Sequence, residues 1–131
     1  IQKLAKQEGT NYKDLSLQDY TELITSPVTR LFVARLSSSQ IVGMATLVVY
    51  RIPYVRKAYL EDIVVDEAFR GQGIGTRLIE TVIAEAKRSH ASYLDFTSRP
   101  RRAEGNSLYQ KMGFEKRDSH VYRLLIDYGE V

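Results

Sequence analysis

The sequence has no cysteine and no tryptophan, and only two histidines and three prolines among 131 residues. Without cysteine there can be no disulfide framework, no thiolate zinc site and no thiol nucleophile. His90 and His120 stand far apart in the chain, so a histidine-rich metal site or a Ser-His-Asp relay has little material, and no metal is expected. No apolar run approaches the ~18 residues of a membrane span, and no basic-then-apolar leader pattern opens the sequence. The expectation is a cytoplasmic protein with no membrane partner. Charge is also not one-sided: 19 basic against 16 acidic residues give +3. That excess is compatible with an anionic ligand, but it lacks the aromatic-basic interleaving of a nucleic-acid binder, so no nucleic-acid partner is expected.

What is present is ordinary globular material, 44% hydrophobic and 27% charged. A chain of this size buries roughly two thirds of its unfolded surface, which is enough for one core. There are no repeats, linkers or low-complexity tracts, so residues 1–131 read as one domain. Residue 1 is isoleucine rather than methionine, as expected of a chain that begins inside a longer parent.

Periodicity divides the chain. Residues 1–7 fit the end of a helix. Asp14 or Ser16 can cap a second, with Leu15, Leu17, Tyr20, Leu23 and Ile24 as its apolar positions and Pro27 as its stop. Residues 29–36 and 40–50 form a β-branched hairpin around Ser37–Ser39. Ile52-Pro53-Tyr54 reads as a loop, and residues 58–65 as a strand buried on both faces. Ile74, Leu78, Ile79, Val82, Ile83 and Ala86 recur at helical spacing with charges on the other side. Residues 93–97 are a further strand, so a strand-helix-strand crossover makes part of the sheet parallel. Residues 104–112 form a helix ended by Gly113 in the left-handed cap position. Phe114 and residues 121–126 are read as final strands. The whole is an α+β domain with a mixed sheet.

Between the third strand and the central helix lies Arg70-Gly71-Gln72-Gly73-Ile74-Gly75-Thr76. Glycine permits positive φ and close approach of a ligand. The free N–H groups of a helix start then converge on one spot, where the helix dipole favours an anion such as a pyrophosphate. Arg70 and Arg77 can add charge at the rim. A plain tight turn needs only one glycine. The spacing matches neither the dinucleotide fingerprint nor a P-loop.

At these residues the chain resembles the GCN5-related N-acetyltransferase family. Arg70-Gly71-Gln72-Gly73-Ile74-Gly75 matches that family's Gln/Arg-x-x-Gly-x-Gly/Ala signature. Asn106-Ser107-Leu108-Tyr109-Gln110-Lys111-Met112-Gly113-Phe114 is similar to its N-x-x-x-Y-x-x-x-G-F segment. The resemblance covers about residues 29–126. It implies an acyl-CoA N-acyltransferase fold: an α/β three-layer sandwich with a mostly antiparallel central sheet flanked by helices, here expected to lack its N-terminal strand. It implies acetyl-CoA as cosubstrate and an N-acetyltransferase acting on a small-molecule or protein amine by direct attack in a ternary complex. A non-catalytic coenzyme A-binding module of the same fold is the alternative. A homodimer is also expected from the resemblance.

By the same resemblance, the backbone of Ile63, Val64 and Val65 takes the thioester and pantetheine and offers an N–H to the developing oxyanion. Arg70, Gly71, Gln72, Gly73, Ile74, Gly75 and Thr76 take the pyrophosphate, and Asn106 the pantetheine arm. Tyr109 protonates the departing sulfur, a contribution of about ten- to thousand-fold; alternatively it is a core aromatic beside Leu108 and Met112. Glu61 and Asp62 are neighbours on a strand and are expected on opposite faces. Leu60-Glu61-Asp62 resembles the segment of polyamine and glucosamine-phosphate acetyltransferases, which favours Glu61 as the base or as a ligand of a cationic acceptor. A surface charge pair with Arg51 or Arg56 remains open for Glu61. Tyr50, Tyr54 and Tyr59 are read as half-buried sheet aromatics or an acceptor wall, Arg99, Arg101 and Arg102 as solvated or nucleotide-facing, and the histidines as loop residues.

Overall fold

The computed structural model describes residues 1–7, 14–98 and 103–126. Two compact units appear, Ile1–Phe96 and Thr97–Val131. The first contains helices α1 (Gln2–Gln7) and α2 (Leu17–Thr25), strands β1 (Thr29–Arg35), β2 (Ile41–Ile52) and β3 (Val55–Val65), a 3₁₀ turn (Glu67–Phe69), helix α3 (Ile74–Arg88) and strand β4 (Tyr93–Asp95). The second contains helix α4 (Ala103–Lys111). Arg99, Arg101 and Arg102 lie outside the described residues.

Each start and stop has a local cause. Ser16 caps α2 in a capping box with Asp19: the Asp19 N–H donates to Ser16 Oγ (3.1 Å) and the Ser16 N–H to Asp19 Oδ2 (2.8 Å). Pro27 follows two residues after the helix. Residues 53–54 are a tight turn rather than a loop, because Ile52 still pairs with Val55. Helix α3 ends in a 6→1 and 5→2 pair of bonds, Ala91 N–H to Ala86 (3.1 Å) and His90 N–H to Lys87 (3.0 Å), with His90 at φ +59°.

The sheet order is β1-β2-β3-β4. The first two pairings are antiparallel and β3–β4 is parallel, so the sheet is mixed and mostly antiparallel as expected. Its two faces carry different layers. Ala45, Leu47, Val49, Ala58 and Leu60 pack against Leu78, Val82 and Ala86 of α3. On the other face Met44 and Val64 pack against Leu4 of α1. Leu47 and Val82 are fully buried, and each such side chain stabilises the fold by about 1.5–3 kcal/mol. Side chains of α3 press on Gly43: a Cβ there would stand 3.1 Å from Leu78 Cδ1 and 3.2 Å from Ile74 Cγ2.

The expectation that Glu61 and Asp62 face opposite sides is overturned by the register. Thr46 pairs with Asp62 and Leu47 with Leu60, leaving Glu61 as the extra residue of a β-bulge. Before it, Ala58 and Leu60 face α3; after it, Ile63 and Val65 do. Asp62 and Val64 therefore fall on the same face as Tyr59, away from α3, and alternation from Tyr59 brings Glu61 to that face too.

In the second unit, α4 ends as expected at Gly113, φ +98°. The Phe114 N–H donates to the Tyr109 carbonyl (3.0 Å) and the Gly113 N–H to Gln110 (3.1 Å), a Schellman pattern. The final strands expected at Phe114 and residues 121–126 are absent. Residues 121–126 have no strand partner among the described residues, and Val121, Tyr122, Leu124, Leu125 and Ile126 are exposed. High β-propensity alone does not make a strand without a ladder to join.

Candidate functional site

The end of β3 is where the sheet opens. β4 pairs only with Lys57, Ala58 and Tyr59. Beyond Tyr59, β3 continues to Val65 with β2 on one side and no strand on the other among the described residues. The Asp66 N–H donates to the Val42 carbonyl (2.8 Å) on the β2 side. Amide direction alternates along a strand, so the backbone groups of Ile63 and Val65 turn to the open edge. Those of Val64 turn to β2, where it pairs with Met44, and its side chain is buried. Of the three residues expected to offer backbone to a ligand, Ile63 and Val65 turn their backbone groups to the open edge and Val64 turns its groups to β2.

Asp66 then turns the chain. It is buried (2% exposed). Its Oδ1 accepts from the Ala68 N–H (3.0 Å) and its Oδ2 from Lys3 Nζ (2.9 Å). The Lys3 ammonium, followed by the Ala68 N–H, holds its carboxyl below the usual aspartate range. Nothing in the local sequence marks Asp66 or Lys3, because their contact spans 63 positions.

The glycine turn follows, with Arg70, Gly71, Gln72 and Gly73 all exposed. Gly71 and Gly73 adopt φ +79° and +80°, a conformation that costs other residues roughly 1–2 kcal/mol. Gly73 caps α3 with no side-chain hydrogen bond. The first helical bond runs from the Arg77 N–H to the Gly73 carbonyl (3.1 Å). The N–H groups of Ile74, Gly75 and Thr76 precede it and belong to the open donors of a helix start. Gly75 has neither a positive φ nor a crowded site, since a Cβ there would rest 3.7 Å from Val65 Cγ2, an ordinary contact. That distance shows the first turn of α3 lying beside the last residue of the open edge.

The carboxylates stand elsewhere on β3. Glu61 is exposed and pairs with neither Arg51 nor Arg56. Asp62 Oδ1 is buried with no hydrogen-bond partner. Tyr54 is 83% exposed at the hairpin turn. Tyr50 and Tyr93 flank the Lys57 ammonium at 5.7 and 5.6 Å, and Tyr50 leads in raising the Lys57 pKa.

In the second unit Asn106 and Tyr109 are half-buried on α4. The Tyr109 ring leans back over Gly105, whose absent Cβ would lie 3.7 Å from the hydroxyl. It also meets Phe114 edge to face at 6.4 Å. Tyr109 and Phe114 are the C3 and C″ residues of the helix end, so their contact is the hydrophobic clasp of a Schellman cap. Part of the Y-x-x-x-G-F block is thus accounted for by helix termination.

Among the described residues no helix is long and apolar enough to cross a membrane. Comparison with known proteins bears on this geometry. Residues 27–116 match the family model described as an acetyltransferase (GNAT) domain. The chain is 29% identical to human N-acetyltransferase 8B over 95% of its own length and 59% of that protein. It is 30% identical to human N-acetyltransferase 8 over 86% of its length and 52% of that protein. The chain thus spans little more than half of these curated relatives. Among solved structures, glucosamine-6-phosphate N-acetyltransferase from Arabidopsis thaliana superposes with a TM-score of 0.83 at 16% identity, covering 96% of this chain and 89% of that one. At that identity the likeness speaks for the fold. With the family model spanning both the open edge of β3 and the glycine turn, the chain belongs to the GNAT acetyltransferase family and has the acyl-CoA N-acyltransferase fold.

Proposed function

We propose that the chain is an acetyl-CoA-dependent N-acetyltransferase acting on a primary amine. One observation carries the reading. The open edge at Ile63 and Val65 lies beside the uncapped start of α3 at residues 73–76, where a Cβ on Gly75 would stand 3.7 Å from Val65 Cγ2. An edge of amide groups suits a ligand arm that itself carries amides, and a helix start suits a diphosphate. Coenzyme A has both. Gly75 supports the fit, because neither backbone strain nor packing within the protein calls for a glycine there. Acetyl-CoA, when bound, supplies the activated acetyl group.

The chain's own groups then have these roles. The N–H groups of Gln72 to Thr76 hold the diphosphate, with Arg70 at the rim. An N–H of the Ile63–Val65 edge holds the oxygen on which negative charge develops. Glu61 accepts a proton from the acceptor amine or holds its cation. Asn106 contacts the amide arm, and Tyr109 donates a proton to the departing sulfur.

The Schellman clasp favours a second reading, a coenzyme A-binding module without turnover, since it explains Tyr109 with no acid chemistry. One experiment separates the two. Thiol release is measured from acetyl-CoA with polyamines, amino sugars, amino acids and peptides, for the wild type and Tyr109→Phe. Phenylalanine keeps the ring contact with Phe114 and removes only the hydroxyl. The enzyme reading expects release on at least one acceptor and a kcat lower by about ten- to thousand-fold in Tyr109→Phe. Binding of acetyl-CoA without release on any acceptor supports the module.

A further inference from the structure

We propose that Gln7 is a positioning residue that terminates and orients the ligand-facing edge of β3. The claim rests on the acetyl-CoA reading above. Gln7 is the last residue of α1, yet its side chain reaches the end of β3. Its Nε2 donates to the Val65 carbonyl (2.7 Å), and its Oε1 accepts from the Glu67 N–H (3.2 Å).

The pattern has a specific meaning. A residue on a parallel neighbouring strand donates to the carbonyl of one residue and accepts from the N–H two positions on. The Gln7 carboxamide makes that pair of bonds astride Asp66. The N–H of Asp66 itself goes the other way, to Val42. Gln7 thus stands in for the N–H and C=O of one residue of a strand on the side that β4 has left. It closes the open edge at Val65 as β4 closes it at Tyr59. Between these limits lie residues 60–64, and Tyr59 and Val65 stand roughly 20 Å apart at ~3.3 Å per residue.

Two consequences follow. The Val65 carbonyl is taken, so the edge presents the amide groups of Ile63 and the N–H of Val65 to a ligand. The Val65–Asp66 peptide is also held in strand orientation up to the point where the chain turns into the 3₁₀ segment and the glycine turn. Leu4, buried against Met44 and Val64, and the Lys3–Asp66 pair fix the helix that carries Gln7. The carboxamide therefore acts from an anchored base.

The test compares the dissociation constant of acetyl-CoA by calorimetry, and Tm, in wild type, Gln7→Ala, Gln7→Glu and Lys3→Met. Gln7→Ala removes both bonds. Gln7→Glu keeps an acceptor for the Glu67 N–H but sets a carboxylate against the Val65 carbonyl. Lys3→Met removes the ion pair of α1 with Asp66 and leaves the Leu4 packing and the carboxamide. The expected result is binding weakened about five- to twentyfold in Gln7→Ala, at least as much in Gln7→Glu, and little changed in Lys3→Met, although its Tm also falls. Wild-type affinity in Gln7→Glu, or equal weakening in Lys3→Met and Gln7→Ala, overturns the role of Gln7 and leaves the functional reading standing. No binding by the folded wild type overturns that reading, and the role of Gln7 with it.

Discussion

Gly73 and Gly75 look alike in the sequence and differ in the structure. Gly73 sits at φ +80°, where any Cβ is strained although no described atom lies within 4 Å of it. Gly75 lies in the first turn of α3 with room for a methyl group against Val65. Alanine at 73 is therefore expected to lower stability by roughly 1–2 kcal/mol with or without ligand. Alanine at 75 should leave Tm unchanged or slightly raised, since alanine is the better helix residue by up to about 1 kcal/mol. Its effect should fall on acetyl-CoA affinity, because the methyl group is added between the start of α3 and Val65, the two places assigned to the ligand. Thermal melts and calorimetry on the two variants check this. Gly75→Ala with both Tm and affinity intact would remove residue 75 from the cradle. The sequence marked both glycines but could not assign them different reasons, because backbone conformation is not written in a spacing.

Whole elements were the most legible level. The helical spacing from Ile74 to Ala86, the Ser16 cap and the Gly113 stop each follow from short-range chemistry, and each is present. The bulge at Glu61 was not legible, since an inserted residue in a β-branched run leaves the pattern of residue types almost unchanged. Nor was the state of residues 121–126, whose strand-like composition is fulfilled only if a ladder is available. The end of α3 was half legible. Its stop after Arg88 was foreseen, but His90 carries the left-handed C′ position that glycine fills most easily. His90→Gly is expected to stabilise the protein by about 1 kcal/mol by relieving that strain, read as a rise in Tm. His90→Ala should bring no such gain. Equal melting of His90→Gly and the wild type would mean that the imidazole itself compensates for the conformation.

At the scale of the whole molecule, long-range carboxylates join parts of the first unit that the sequence keeps far apart. Asp66 ties α1 to the end of β3 through Lys3. Glu85, only 13% exposed, ties α3 to β1 through Arg30 Nε at 2.9 Å and also meets Arg88 at 2.6 Å. Arg88, then the ion pairs with Arg88 and Arg30, hold the Glu85 carboxyl below its usual range, as Lys3 and the Ala68 N–H do for Asp66. A carboxyl with a lowered folded pKa binds fewer protons folded than unfolded near that range. Its stabilisation is complete above the unfolded value, about 4, and is lost as pH falls through the lower folded value. Acid also adds positive charge to a chain that is already at +3, which strains the compact state further. Tm is therefore expected to hold near neutral pH and to fall as pH drops from about 4 toward 2. Asp66→Asn and Glu85→Gln should melt below the wild type at pH 7, and the gap should close as the acid limb is descended, because protonation makes the same change in the wild type. A gap that stays constant down to the lowest pH would show that these side chains act through packing, and that their charges do not join the helices to the sheet.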